Sequence, residues 1–381
     1  MPQPFRVLLA PDSFKGSLSA IQFCDIARKV IEQTLPNAEV LSYPMSDGGE
    51  GFVDSFVYAG VAEKKSLWVS DALGKKTKAI FAWQPESHTA IIEMAQASGL
   101  PKIRPDERNP LQTHSYGTGQ IIQAALDLGA KNIVLGLGGS ATNEGGTAAL
   151  QALGVQLLDA EGNEIGLGGQ ALIKLASIGD IPSHLLEIDW QLACDVTNPL
   201  LGEHGATAVF GPQKGVNTHN HQQLEAGLLN WATVIKNKTN RDIIHLEGAG
   251  AAGGMAGGFI GVLNASVTPG FDVLNQTLKL ENVFAENPID LVITGEGKMD
   301  SQTKFGKLPM RIAQLGLAHQ APTIGVCGSL QCTPQELPEF KALFSIMNTP
   351  MSEMEAFQNT PYLLASTLRS ILQLLKPSPR F

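Results

Sequence analysis

"IVLGLGGSATNEGG" spans Ile133–Gly146. A short apolar run enters a segment of five glycines interleaved with Ser140, Ala141, Thr142, Asn143 and Glu144. Apolar residues that give way abruptly to glycine mark the end of a buried strand. So many bare positions serve one of two purposes. Either the chain makes a tight strand-to-helix turn, or its backbone comes close to something, a phosphate for example.

Working outward, the pattern recurs. "RVLLAP" reads as a strand, with a helix over Leu18–Leu35 closed by Pro36. "AEVLSYP" is the next strand, followed by a glycine turn and a helix near Phe52–Tyr58. Towards the other end "DLVITGEG", "PTIGVCG" and "LFSIMN" are strands, with helices near Leu308–Leu317, Thr333–Leu337 and Leu363–Leu375. Such β-α alternation predicts an α/β fold with a doubly wound parallel sheet. The middle differs. Residues 65–95 read as antiparallel strands, 154–169 as a hairpin, Gly117–Leu128 as a helix and 131–138 as a strand. The organisation predicted is a discontinuous outer domain, 1–64 with 265–381, and an inserted mixed α/β domain, 65–264.

Totals agree with this reading. A chain of 381 residues exceeds one ordinary core and predicts two domains. With 43 % hydrophobic and 17 % charged residues it is globular. A net charge of −9 without a basic stripe argues against nucleic acid as partner. The N-terminal segment carries one Arg and only four consecutive apolar residues, Val7–Ala10, which does not make a signal peptide. Gly248–Ala265, small and rich in glycine, reads as a buried helix rather than a membrane span. Cys24, Cys194, Cys327 and Cys332 are scattered, without a CxxC pair. Reduced thiols in a cytoplasmic protein are expected.

Ligands of open α/β sheets bind beyond the carboxyl ends of strands. Five strand ends carry acids there: Asp12 with Ser13 and Lys15; Asp47 with Ser46 and Glu50; Glu144 with Ser140, Thr142 and Asn143; Asp195 with Thr197 and Asn198; and Glu296 with Lys298, Asp300 and Gln302. Each turn alone has a plain explanation as a helix cap or a glycine turn. Together they require a cation or proton, because converging carboxylates repel. Mg²⁺ uses one or two carboxylates plus substrate phosphates, and glycine turns suit the phosphates. The set describes a nucleotide–Mg²⁺ phosphotransfer site. Lys214 in "GATAVFGPQKG" and Lys304 and Lys307 in "TKFGKLP" are candidate neutralising cations.

Rival motifs are weaker. Ser301 stands where a Walker sequence ending at Lys307 needs Gly. No GxSxG elbow follows a strand. His219–His221 reads as a solvated turn. Gly136, Gly138 and Ala141 fit GxGxxA, with Asp159 downstream, which keeps an NAD(P)-dependent dehydrogenase open as an alternative. A non-catalytic two-domain anion-binding protein is the other.

"LAPDSFKGSLSA", "SDGGEGF", "GLGGSATNEGG", "CDVTNPLLG", "GATAVFGPQKG", "GAGAAGGMAGG" and "ITGEGKMDSQTKFGKLP", in this order from about Val7 to beyond Gly328, together resemble the bacterial glycerate kinase family. That resemblance implies a flavodoxin-like domain plus a mixed α/β domain with the active site in the cleft between them. It implies ATP and Mg²⁺, phosphorylation of D-glycerate with 2-phosphoglycerate favoured, small-molecule partners only, no membrane, and allows a homodimer. By resemblance Lys15 meets phosphate or the glycerate carboxylate, and Asp12, Ser13, Asn198 and Lys214 bind substrate. Gly138, Gly139, Ser140, Asn143, Gly48, Gly49 and Gly295 line the nucleotide, and Asp47 and Glu296 meet the metal. Asp195 is the first choice as base and Asp300 the second. Ser46, Phe52, Glu144 and Lys298 depart from the family's expected Ala, Thr, Asp and Arg.

Overall fold

The structure, a computed structural model, describes residues 4–375. Residues 1–3, where the segment weighed above as a signal peptide begins, and 376–381, where the outer domain was expected to end, lie outside the described residues. Thirteen strands are present among the described residues, numbered here in chain order: β1 Arg6–Leu9, β2 Glu39–Ser42, β3 Glu63–Ser70, β4 Lys76–Gln84, β5 Thr89–Glu93, β6 Asn132–Gly136, β7 Leu157–Leu158, β8 Ser177–Ile178, β9 Asp189–Ala193, β10 Ser266–Thr268, β11 Leu291–Met299, β12 Thr323–Leu330 and β13 Ala342–Ser345. The chain forms two compact units. Among the described residues, one holds 4–46, Asp54–Val61 and 274–375; the other holds Asp47–Val53 and Ala62–Val273. The short segment Asp47–Val53, which includes the "SDGGEGF" glycines, therefore belongs to the second unit.

The first unit is built on a parallel five-stranded sheet in the order β2-β1-β11-β12-β13. This is the flavodoxin-like order, with its switch of direction between β1 and β11. Neighbouring residues of β12 serve opposite faces, as the period of a strand demands. Val326 packs with Val7, Leu9 and Phe23 in one apolar cluster, and Cys327 packs with Met299, Met310 and Ala313 in another. The helix Ala20–Thr34 opens on a capping box, with Ser19 Oγ accepting from Gln22 N.

Two helices differ from the sequence expectation. Thr333–Leu337 forms only turns, because Leu337 precedes Pro338 and Glu336 folds back onto Thr333 N and Oγ1. The C-terminal helix runs Glu353–Gln373, far earlier than Leu363, and continues through Pro361. Its start is a second capping box, Ser352 with Glu355, and its buried face of Leu364, Leu368 and Leu372 outweighs the bond that Pro361 cannot donate.

A mixed six-stranded sheet, β10-β9-β6-β5-β4-β3, organises the second unit. The 65–95 region pairs antiparallel as β3-β4-β5, and β5 then joins β6 in parallel. The expected hairpin at 154–169 is reduced to a single bridge between Leu158 and Glu164; β7 pairs instead with β8. The glycine-rich run forms the buried helix Ala251–Leu263, whose first residues Ala252, Gly253 and Gly254 are left-handed. Among the described residues, no helix is long and apolar enough to cross a membrane.

That helix lies directly on the turn Leu137–Gly146. A Cβ on Gly258 would stand 2.0 Å from Gly145 O, and one on Gly253 would stand 2.0 Å from Thr142 O. Gly145 N donates to Gly253 O, and Trp231 Nε1 donates to Gly145 O at 3.0 Å. Gly258→Ala is therefore expected to destabilise the protein by roughly 1–3 kcal/mol of overpacking. Gly166→Ala, at a position with nothing within 4 Å of a new Cβ, is the control and should be nearly neutral. Thermal melts of the two variants check this.

Candidate active site

The second unit gathers several of the expected residues on one turn. β6 delivers the chain to Leu137, and Gly138 N donates to Gly48 O at 3.0 Å. Here the bare backbone approaches another backbone: a Cβ on Gly138 would meet Gly49 Cα at 2.4 Å. Gly139 differs. Its φ is +70°, and the nearest atom to a new Cβ is Ala95 Cβ at 3.5 Å, so only its conformation requires glycine.

Beyond Gly139 the turn is polar and buried. Lys214, 1 % exposed, donates from Nζ to Ser140 Oγ at 2.7 Å and to Thr142 O at 2.8 Å. No charged side chain offsets its burial, which lowers the ammonium to about 7. Asn143 Nδ2 donates to Thr207 Oγ1 at 3.1 Å, while Asn143 Oδ1 and Thr142 Oγ1 are buried without a partner among the described residues.

Glu144 is fully buried and turned to a structural task. Oε1 accepts from Ser115 Oγ at 2.6 Å, and Oε2 accepts from Thr147 Oγ1 and Ala148 N, both at 2.8 Å. It thereby caps the helix Thr147–Ala152. Burial pushes its carboxyl up, and these hydrogen bonds oppose the rise.

Asp195 follows β9, is exposed, and accepts from Gly270 N at 3.1 Å. Asp47 is also exposed. Both charges reach the half-buried Cys194 thiol and add to the burial that pushes it up to about 11, so the structure brings these two acids to one neighbourhood. Asn198 Nδ2 closes its own loop on His204 O at 2.8 Å.

In the first unit, Asp12 N donates to Gly295 O, and Asp12 Oδ1 accepts from Ser13 N at 2.6 Å. A Cβ on Gly297 would lie 3.5 Å from Lys15 N, which sets the "DSFKGS" loop beside β11. Lys15 itself is exposed and forms no ion pair among the described residues. Gly295 lies inside β11, where a Cβ would strike Val326 O of β12.

Glu296 and Asp300 share one cation. Lys307 Nζ stands 3.5 Å from Glu296 Oε2 and 3.8 Å from Asp300 Oδ1. Thr303 Oγ1 also donates to Glu296 Oε1 at 3.1 Å. Burial raises the Glu296 carboxyl, with Lys307 and Thr303 pulling it back. Asp300 is lowered, first by Lys298 at 3.0 Å and then by Gln302 N. Convergence of carboxylates is thus partly answered by the chain's own lysine. Among the described residues, no three His, Cys, Asp or Glu are grouped to hold a metal. A hard cation that takes one or two carboxylates and completes its shell with phosphate and water does not need such a group.

The dinucleotide alternative is not supported by this geometry. The helix after Gly136 and Gly138 does not begin until Thr147, so no helix N-terminus opens on those glycines. Asp159 Oδ1 accepts from Glu161 N and Asn163 N and closes its own turn. Ser115 and Trp231, which support the polar turn, carry no sequence signal, because neither sits at a strand end or in one of the quoted glycine motifs; Thr207 lies in "GATAVFGPQKG", where Lys214 was the residue singled out.

One parallel and one mixed α/β unit, with acids and lysines at or near their strand ends, fit the phosphotransferase class of enzyme. The model of the Glycerate kinase family matches residues 7–376. A glycerate kinase of Halalkalibacterium halodurans is 40 % identical over 369 residues, covering 96 % of this chain and 97 % of its own. Glycerate 2-kinase of Escherichia coli K12 is 40 % identical over 357 residues, 93 % of each. A solved structure from Salmonella typhimurium LT2, assigned to glycerate kinase 2, superposes with a TM-score of 0.85 at 39 % identity over 98 % of both chains. The chain belongs to the glycerate kinase family and is a kinase.

Lys214 yields a stability prediction. Its folded value, about 7, lies below the 10.5 of a free lysine, so between those limits the unfolded chain binds more protons. Its burial penalty is complete below about pH 7 and is relieved as pH rises towards 10.5. Stability of the parent should therefore gain with pH over this range relative to Lys214→Met, in which that contribution is absent. Urea unfolding at a series of pH values checks the difference in slope.

Proposed function

We propose that this kinase transfers the γ-phosphoryl group of ATP to a hydroxyl of D-glycerate, releasing ADP and favouring 2-phosphoglycerate. The observation that carries the reading is the 40 % identity, over 93 % of both chains, to a protein named glycerate 2-kinase. Phosphoryl transfer asks for positioned anions, neutralised charge and a proton acceptor for the attacking hydroxyl.

The residues divide these tasks. Asp195 is the proposed base. Asp300, the other candidate, is held by Lys298, Lys307 and Gln302 N, and a carboxylate so stabilised is a poor proton acceptor. Lys15, an exposed cation without an ion pair among the described residues, is proposed to meet the substrate carboxylate or a phosphate. Asp12 and Ser13 hold the Lys15 loop against β11. The Gly138–Asn143 turn, with Gly48 and Gly49 packed beneath it, is proposed to receive phosphate oxygens. Mg²⁺ fits oxygen donors of this kind; Asp47 of the second unit and Glu296 of the first are each proposed as a carboxylate that would meet it, and it would supply neutralisation of the transferring group's charge. Four free cysteines, three of them buried, support a reducing, cytoplasmic setting.

A coupled ADP-release assay with D-glycerate and Mg²⁺, with phosphorus NMR of the product, tests the reading. ADP release that requires both, with phosphate on O2, is expected. NAD reduction without ADP release would overturn the kinase chemistry, and phosphate on O3 would overturn the regiochemistry. Asp195→Asn should lower kcat roughly 10²–10⁴-fold while ATP affinity is nearly kept. Retained turnover would remove Asp195 from the role of base. Lys15→Met should raise the KM of an anionic substrate with a smaller change in kcat, and unchanged kinetics would make Lys15 an ordinary surface lysine.

A further inference from the structure

An ammonium carries three donors, and Lys214 spends two of them inside the protein, on Ser140 Oγ and Thr142 O. Ser140 Oγ therefore receives a proton, and its own hydroxyl proton must go to another acceptor. Among the described residues it has none. Two further polar atoms of the same turn, Thr142 Oγ1 and Asn143 Oδ1, are buried without a partner among the described residues. Charged neighbours do not answer Lys214 either. Glu144 spends both oxygens on Ser115, Thr147 and Ala148. Arg108, packed against Gly215, donates from Nη1 to Gln213 O, and its Nε is buried without a partner among the described residues.

We propose that Lys214 is a positioning residue that never touches substrate: by donating to Ser140 Oγ it leaves the Ser140 hydroxyl proton for an anionic oxygen of the ligand, a phosphoryl or carboxylate oxygen. The inference rests on the kinase reading above and assigns Lys214 an indirect role in place of direct substrate contact. It contains its own switch. The neutral amine keeps two N–H donors and gains a lone pair, so Nζ becomes an acceptor that competes with the ligand for the Ser140 hydroxyl proton. With the ammonium lowered to about 7 by burial, that exchange falls near neutral pH.

Calorimetric titration with ATP, D-glycerate and inorganic phosphate separately, on the parent, Ser140→Ala, Lys214→Met and the double variant, tests this. Ser140→Ala should weaken the responding ligand roughly tenfold or more, the scale of a hydrogen bond to a charged group. Lys214→Met should weaken it by a similar factor, and the double variant no further, since the two act in series. ATP as the responder places a phosphoryl oxygen at Ser140; D-glycerate places a carboxylate there. Affinity of the parent should fall as pH rises through about 7, and Ser140→Ala should lose that dependence. This arm holds even if Lys214→Met fails to fold.

Additive losses in the double variant would overturn the inference and place Lys214 on the ligand itself. A pH dependence that persists in Ser140→Ala would also overturn it. Phosphate binding with the expected Ser140 and Lys214 responses, but no binding of ATP or D-glycerate, would sink the kinase reading and leave this inference standing. No binding of any of the three would sink both.

Discussion

Backbone packed on backbone, without intervening side chains, is the constraint on which the second unit depends. Gly138 rests on Gly49, Gly253 on Thr142 O and Gly258 on Gly145 O. Three glycine-rich segments far apart in the chain meet at one turn. A single Cβ at these contacts would enter another residue's backbone, which cannot rotate away as a side chain can. The strands deliver the turn, but the glycine helix and the Gly48–Gly49 segment hold its shape. Trp231 closes the arrangement by donating to Gly145 O.

Inside that shape the protein keeps two charged groups out of water, and it treats them differently. Glu144 has three donors on its carboxylate, so its burial is compensated by hydrogen bonds and it serves the fold. Lys214 has two neutral acceptors and no carboxylate, so its charge is left without a counter-ion. A buried cation of this kind favours an anion close by. The contrast separates a residue that shapes the turn from one whose cost makes sense only through what the turn binds.

The first unit manages charge in the opposite way, with its ionic groups partly in solvent. Lys307 stands between Glu296 and Asp300, and Lys298 holds Asp300 from the other side. These pairs join half-buried carboxylates to lysines that reach solvent, so water screens them in part and the long side chains lose entropy. Their effect is on protonation. They keep Asp300 charged and restrain the rise that burial imposes on Glu296. Two carboxylates four positions apart on the same segment thus acquire different chemistry from the lysines beside them.

The β-α alternation of both ends, the antiparallel 65–95 region, the buried glycine helix and most of the acids near strand ends were legible in the sequence. Each follows from period, length and turn chemistry within a few residues of chain. Glu296 and Lys298, expected in a turn after a strand, lie inside β11, which continues to Met299 by pairing with β12. The helix through Pro361 and the turns at Thr333–Leu337 are not legible locally, because what a proline does to a helix depends on the packing around it. What the glycines are for was decided only by the tertiary structure. Sequence presented Gly138 and Gly139 alike, whereas contact with Gly49 explains the first and positive φ explains the second. Likewise Lys214, a candidate substrate-binding cation in the sequence, became a fully buried one, and Glu144 became a helix cap. Burial and hydrogen-bond partners arise from segments distant along the chain, and no local pattern of residue types encodes which of them will meet.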